Sequence, residues 1–175
     1  MPQAVGSMDS ETAVNSKTWS VASIVESRSS RALLFESHGV RFAVTTESVT
    51  EVVEAPQFEP VAGSPDWYCG IATYKRKPAA LIDAAQFFTD SRLSPDQNTD
   101  HTRHAIVVNL ASSTYLLLAD RILNLCSLDS LATSADLSFA EHTAIKSVYE
   151  VQNHPVALIN LPELLRQTRL LRECV

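Results

Sequence analysis

Glycine is scarce, with four in 175 residues. A phosphate-cradling loop needs several glycines close together so that backbone N–H groups can approach the ligand. That class of nucleotide site is excluded. Cysteine is also sparse: Cys69, Cys126 and Cys174 are odd in number and far apart. This argues against a disulfide framework and against a thiolate metal site. No apolar run approaches the roughly 18 residues a bilayer span requires. The N-terminus has no charged stretch followed by an apolar one, so no signal peptide is read. A cytoplasmic protein without membrane insertion is expected. Positive charge is short too. The net charge is −6, and only −1 of that falls before Ser29, on Lys17 and Arg28 against Asp9, Glu11 and Glu26. An acidic body works against nucleic-acid binding, which displaces counterions with a positive surface. Aromatics, at 7%, are too few for a base-stacking groove.

What is present is a repeated unit. Tyr68 to Phe88 reads as a strand, a basic turn at Lys75-Arg76-Lys77, a second strand and the start of a helix. Ser147 to Leu165 aligns with it without gaps, placing Pro78 on Pro155, Leu81 on Leu158 and Asp83 on Asn160. Arg31 to Thr45 reads as a hairpin turning at Ser37-His38-Gly39, and Arg103 to Leu118 as its copy. At one constant offset Phe42 falls on Tyr115, Val49 on Ile122 and Val52 on Leu125. Glu47 to Ala55 reads as a helical turn leading into a strand, and Asp120 to Leu128 as its counterpart. Such self-similarity points to two related halves.

The remaining segments connect these units. Residues 1–30 lack a sustained apolar period and are expected to form a disordered or weakly ordered tail. Gln57 to Trp67 is a Pro/Gly-rich loop, and Thr89 to Thr102 a polar linker between halves. Asp129 to His142 is expected to be an exposed loop. Asp83 with Gln86, and Asn160 with Glu163, have capping-box spacing. Leu161, Leu164, Leu165, Thr168 and Leu171 then share one face of a C-terminal helix, expected over 161–172. The fold class expected is mainly β: two packed five-stranded small barrels with short helices, in one domain over 31–175. The lobes are placed at about 31–90 and 103–160. Near-continuous apolar runs such as Ile106–Val108 and Leu116–Ala119 fit strands covered on both faces.

Few residues invite chemistry. His101 and His104 form H-x-x-H, but no Cys or carboxylate pair completes a shell, so neither metal nor cofactor is expected. There is no G-x-S-x-G nucleophile turn. Asp83 beside His104 or His154 could make a hydrolase, yet an N-cap explains Asp83 better, because Asn160 does that job in the second copy. The basic turn is different. In an acidic protein, Lys75, Arg76 and Lys77 offer a contact for an acidic partner surface. Tyr74 beside them is the kind of aromatic that anchors an interface. Among Val49, Val52 and Val53, one or two must face the core, and an exposed one would mark a partner site. A small barrel that binds single-stranded nucleic acid is the alternative reading.

The stretches LLFESHGVRFAV, SVTEVVEAPQFEPVAGSPDWYCGI, PAALIDAAQFF, AIVVNLASSTYLLLADRILNL and VALINLPELL, in that order, resemble the CheW-like family of chemotaxis coupling proteins. The resemblance runs from about Arg31 to Leu171. It implies two packed five-stranded barrels and an adaptor rather than an enzyme. Its partners would be the regulatory domain of a CheA-type histidine kinase and the cytoplasmic tip of a chemoreceptor. Val49, Glu51, Val52 and Lys75 match positions that bind those partners. The family's usual Asn-Leu-Arg-Gly run is Thr73-Tyr74-Lys75-Arg76 here. Lys75 keeps the charge of the Arg it replaces but loses the planar fork that grips a carboxylate twice. The departure points to a divergent member, serving a chemosensory array that controls pili and twitching motility or another surface behaviour.

Overall fold

A computed structural model describes residues 30–89, 103–110, 113–134 and 136–170. The expected tail and nearly all of the polar linker lie outside the described residues, as do His101 and Leu171. Eleven strands and two helices follow in order: β1 (Arg31–Ser37), β2 (Val40–Thr45), β3 (Val49–Glu54), β4 (Phe58–Glu59), β5 (Tyr68–Tyr74), β6 (Lys77–Ile82), α1 (Ala84–Phe88), β7 (His104–Leu110), β8 (Ser113–Ala119), β9 (Arg121–Ser127), β10 (Ile145–Val151), β11 (His154–Ile159) and α2 (Leu161–Leu170).

The fold is mainly β, as expected. In place of two five-stranded barrels it has two open mixed sheets. One has the order β10-β11-β2-β1-β9, and the other β3-β7-β8-β6-β5-β4. The sixth strand of the second sheet, β4, comes from inside the Pro-rich loop. Nor does each half keep its own strands, as the expected lobes would. Each sheet joins the first hairpin of one half to the later strands of the other. The junctions are parallel pairings, Ala80 beside Tyr115 and Ala157 beside Phe42, at equivalent positions of the two halves. The exchange has a packing reason. Hairpins such as β7–β8 are apolar on both faces and need cover on both, more than one half can supply.

Alternate side chains therefore feed different clusters. Phe35, Phe42, Ile106, Leu117, Ile159 and Leu164 meet in a core shared by both sheets. Ala72, Leu81, Val107 and Leu116 form a separate cluster on the second sheet, and Ala32, Leu34, Ala43 and Leu158 one on the first. One expectation fails here. Residues 129–142 are not simply an exposed loop, because Phe139 is buried in the shared core. Its ring stacks on Phe42 and Phe88 at centroid distances of 6.0 and 5.5 Å. A large ring in a polar segment gains more by burial than the loop loses by ordering around it. The helical turn also differs between halves. It precedes β3 at Thr46–Ser48 but follows β9 at Leu128–Ser130.

Both expected N-caps are present. Asp83 Oδ1 accepts the Gln86 N–H at 3.2 Å, and Asn160 Oδ1 the Glu163 N–H at 3.4 Å. Asp83 does more: its other oxygen lies 2.7 Å from His38 Nε2, with both side chains almost fully buried. Ser37 Oγ donates to Asp83 at 3.3 Å. The aspartate thus ties the first hairpin turn to the start of α1. Its histidine is His38, not His104 or His154.

Candidate partner-binding surface

β3 places its side chains in three different environments. Partly buried and exposed residues alternate along β3, and a bulge between Val49 and Glu51 shifts its register against β7. Val49 packs against the shared core, and Val53 against the cluster inside the second sheet. Val52 points to solvent, 37% exposed. The valine triplet therefore resolves as the sequence required: two inward, one outward.

Glu51 reaches toward the β5–β6 turn. Its carboxylate accepts a hydrogen bond from the Tyr74 hydroxyl and pairs with Lys75 Nζ at 2.8 Å. The Lys75 ammonium also lies 5.0 Å from the centre of the Tyr74 ring, a cation–π distance. These contacts hold Glu51 below the usual carboxylate range, first through the Lys75 hydrogen bond and then through that of Tyr74. They raise the Lys75 ammonium, chiefly through the Glu51 hydrogen bond. The pair is solvent-exposed, so its stabilisation is small and screened by salt. Its consequence is positional. β3 begins the second sheet's strand order and β5 lies near its other end, so one carboxylate fastens the two across the open side of the curl.

The turn itself is backbone-strained. Lys75 and Arg76 have φ of 46° and 65°, the left-handed region that two-residue hairpin turns require. A glycine would adopt it freely, whereas a side chain costs about 1–2 kcal/mol per residue. Lys75 is committed to Glu51. Arg76 is exposed and meets no partner among the described residues.

Of the six residues expected to bind partners, Glu51, Tyr74 and Lys75 come together in direct contact. Val52, exposed on the opposite face of β3 from Glu51, and Arg76, exposed next to Lys75 in the turn, are not in contact with the three. Val49 is half-buried against the core. A second exposed group escaped the sequence reading: Phe58 and Val61 beside Ile71 of β5. The alternation of β5 carried the signal, because Gly70 and Ala72 point one way and Ile71 and Thr73 the other. Gly70 has φ of 148°, and a Cβ there would lie 2.2 Å from the Glu59 carbonyl oxygen. Only glycine lets β4 close down on β5.

A CheW-like domain model matches residues 31–169 of this sequence. The chain belongs to the CheW-like family. The crystal structure of the scaffolding protein TtCheW from Thermoanaerobacter tengcongensis overlays on it with a TM-score of 0.62, covering 77% of this chain and 86% of that one at 13% identity. At that identity the likeness speaks for the fold. No curated protein matches the sequence. Membership of the CheW-like family makes this a scaffold-class chain of chemotaxis-type signalling. Among the described residues, no helix is long and apolar enough to cross a membrane.

Proposed function

We propose that the chain is a non-catalytic cytoplasmic adaptor that joins a CheA-type histidine kinase, through its regulatory domain, to the cytoplasmic tip of chemoreceptors. The single observation that carries the reading is the Glu51–Tyr74–Lys75 cluster, in which Glu51 and Lys75 resemble the family's partner-binding positions, with Val52 exposed next to Glu51 in the chain. Val52 supplies apolar contact at the surface. The Lys75–Glu51 pair holds the turn, and Arg76 adds an exposed cation next to it. Each contact is weak alone, and an array strengthens weak contacts by multivalency. The turn's departure from the family pattern favours a specialised array, one governing pilus-dependent twitching motility.

Affinity capture from native lysate tests this, with wild type beside Lys75→Glu. The adaptor reading expects a histidine kinase or receptor in the wild-type eluate and much less of it with the variant, which sets two carboxylates against each other. Neither protein in the wild-type eluate would overturn the reading.

A further inference from the structure

A groove of about 460 Å³ runs along the free margin of the second sheet, away from β3. It is lined by Gln57, Phe58, Glu59, Pro60, Val61, Ile71 and Thr73. Three of these, Phe58, Val61 and Ile71, are large apolar side chains left exposed. They form a patch, and a patch of this kind marks an interaction site more often than scattered singles do. Gly70 makes the patch possible by letting β4 lie close on β5.

Charge states what would fit. Glu59 pairs in register with Ile71, inside the groove. The β5–β6 turn stands at the far end of β5. From Ile71 to that turn is four residues, or about 13 Å of strand. There Lys75 is neutralised by Glu51. Arg76 and Lys77 are both exposed and absent from every ion pair among the described residues. They stand on a chain whose net charge is −6. The turn is held in shape by Glu51 and Tyr74, so little freedom is lost when the Arg76 fork engages a carboxylate.

We infer that the β4–β5 groove and Arg76 at the tip of the β5–β6 turn form a second docking surface. Its occupant is an extended segment of a partner protein, with an apolar side chain followed about four residues later by carboxylates. The apolar side chain seats among Phe58, Val61 and Ile71, and the carboxylates meet Arg76. The surface shares Arg76 with the adaptor surface but stands on the groove, and its test involves neither kinase nor receptor.

The test titrates the isotope-labelled full chain with the acetylated, amidated peptide Lys-Ala-Phe-Ala-Ser-Gly-Asp-Asp and follows amide shifts by NMR. A second peptide carries Lys in place of both Asp. Saturable shifts are expected at Phe58, Ile71, Thr73 and Arg76. Arg76→Glu should weaken the acidic peptide by at least about tenfold and strengthen the lysine peptide, a charge exchange that a structural role would not produce. Arg76→Gln, which removes only the charge, should weaken the acidic peptide alone. No saturable shift in the groove at peptide concentrations of about 5 mM would overturn the inference. So would equal affinity for wild type and Arg76→Glu, or shifts confined to another face. Loss of kinase capture would leave this result untouched, and a failed peptide titration would leave the adaptor reading untouched.

Discussion

The two halves build the same pair of elements from different chemistry. In the first half, β3 and the β5–β6 turn carry Glu51, Tyr74, Lys75 and Arg76. At equivalent positions, β9 and the β10–β11 turn carry Asn124, Val151, Gln152 and Asn153. The backbones agree: Gln152 and Asn153 have φ of 51° and 60°, beside 46° and 65° in the first turn. Hairpin geometry dictates those angles. Asn tolerates them through local hydrogen bonding, whereas Arg has no such compensation. The open sides of the two curls are also managed differently. In the second sheet a carboxylate fastens β3 to the β5–β6 turn. In the first, Leu123, Cys126, Leu131, Tyr149 and Val151 gather on its inner cluster. Residues 132–134 also bond along β10 through Ala132 and Ser134. One feature is common to both. Val52 and its counterpart Leu125 are exposed, at 37% and 52%. The halves thus share an apolar contact point, and its chain neighbour is charged in the first, Glu51, and neutral in the second, Asn124.

The comparison can be broken, starting from the helix caps. Asp83→Ala removes an N-cap and a buried partner of His38, and should cost about 3 kcal/mol. Asn160→Ala removes only a cap and should cost about 1 kcal/mol. Urea unfolding of the two variants measures the gap. The next effect belongs to Gly70. Gly70→Ala pushes a Cβ into the Glu59 carbonyl from a strained backbone, at a cost of about 2 kcal/mol. Ser147→Ala, at the equivalent position, should change stability by less than about 0.5 kcal/mol. Hydrogen exchange in Gly70→Ala should speed up at β4 before it does so elsewhere.

A smaller effect sharpens the comparison of the turns. Arg76→Gly should stabilise the chain by about 1 kcal/mol, and Asn153→Gly by less, as read by thermal melting. Pure stabilisation from losing Arg76 would mean that its side chain serves something other than folding. The smallest effect is electrostatic. The Glu51 carboxyl titrates below the ordinary glutamate range in the folded chain. Its contribution is therefore complete above that range and fades as pH falls through the lowered folded value. Asn124 offers nothing equivalent. An NMR titration of the Glu51 carboxyl should give a low midpoint that rises in Lys75→Ala, only part of the way to the ordinary range because the Tyr74 hydrogen bond remains.

The sequence showed much of this through repetition. The hairpins, both caps, the C-terminal helix and the split of the valine triplet follow from periodicity and from two aligned copies. Strand exchange between sheets was not legible. Local pattern says that a strand has two apolar faces but not which half covers them, and the parallel pairings that decide it join distant residues. Phe139 was hidden because its neighbours are polar and its partners, Phe42 and Phe88, lie far away in the chain. The Glu51–Lys75 contact was half legible. Both residues were singled out separately, but their meeting depends on the curl of the second sheet.

The most direct test of the partner surface separates Val52 from Val49. Each is changed to Asp, circular dichroism and melting are recorded, and histidine-kinase recovery from lysate is measured. Val49→Asp places a charge against the shared core and should lose about 2–3 kcal/mol. Val52→Asp should melt like wild type and recover no kinase. Full kinase recovery by a folded Val52→Asp would contradict the account.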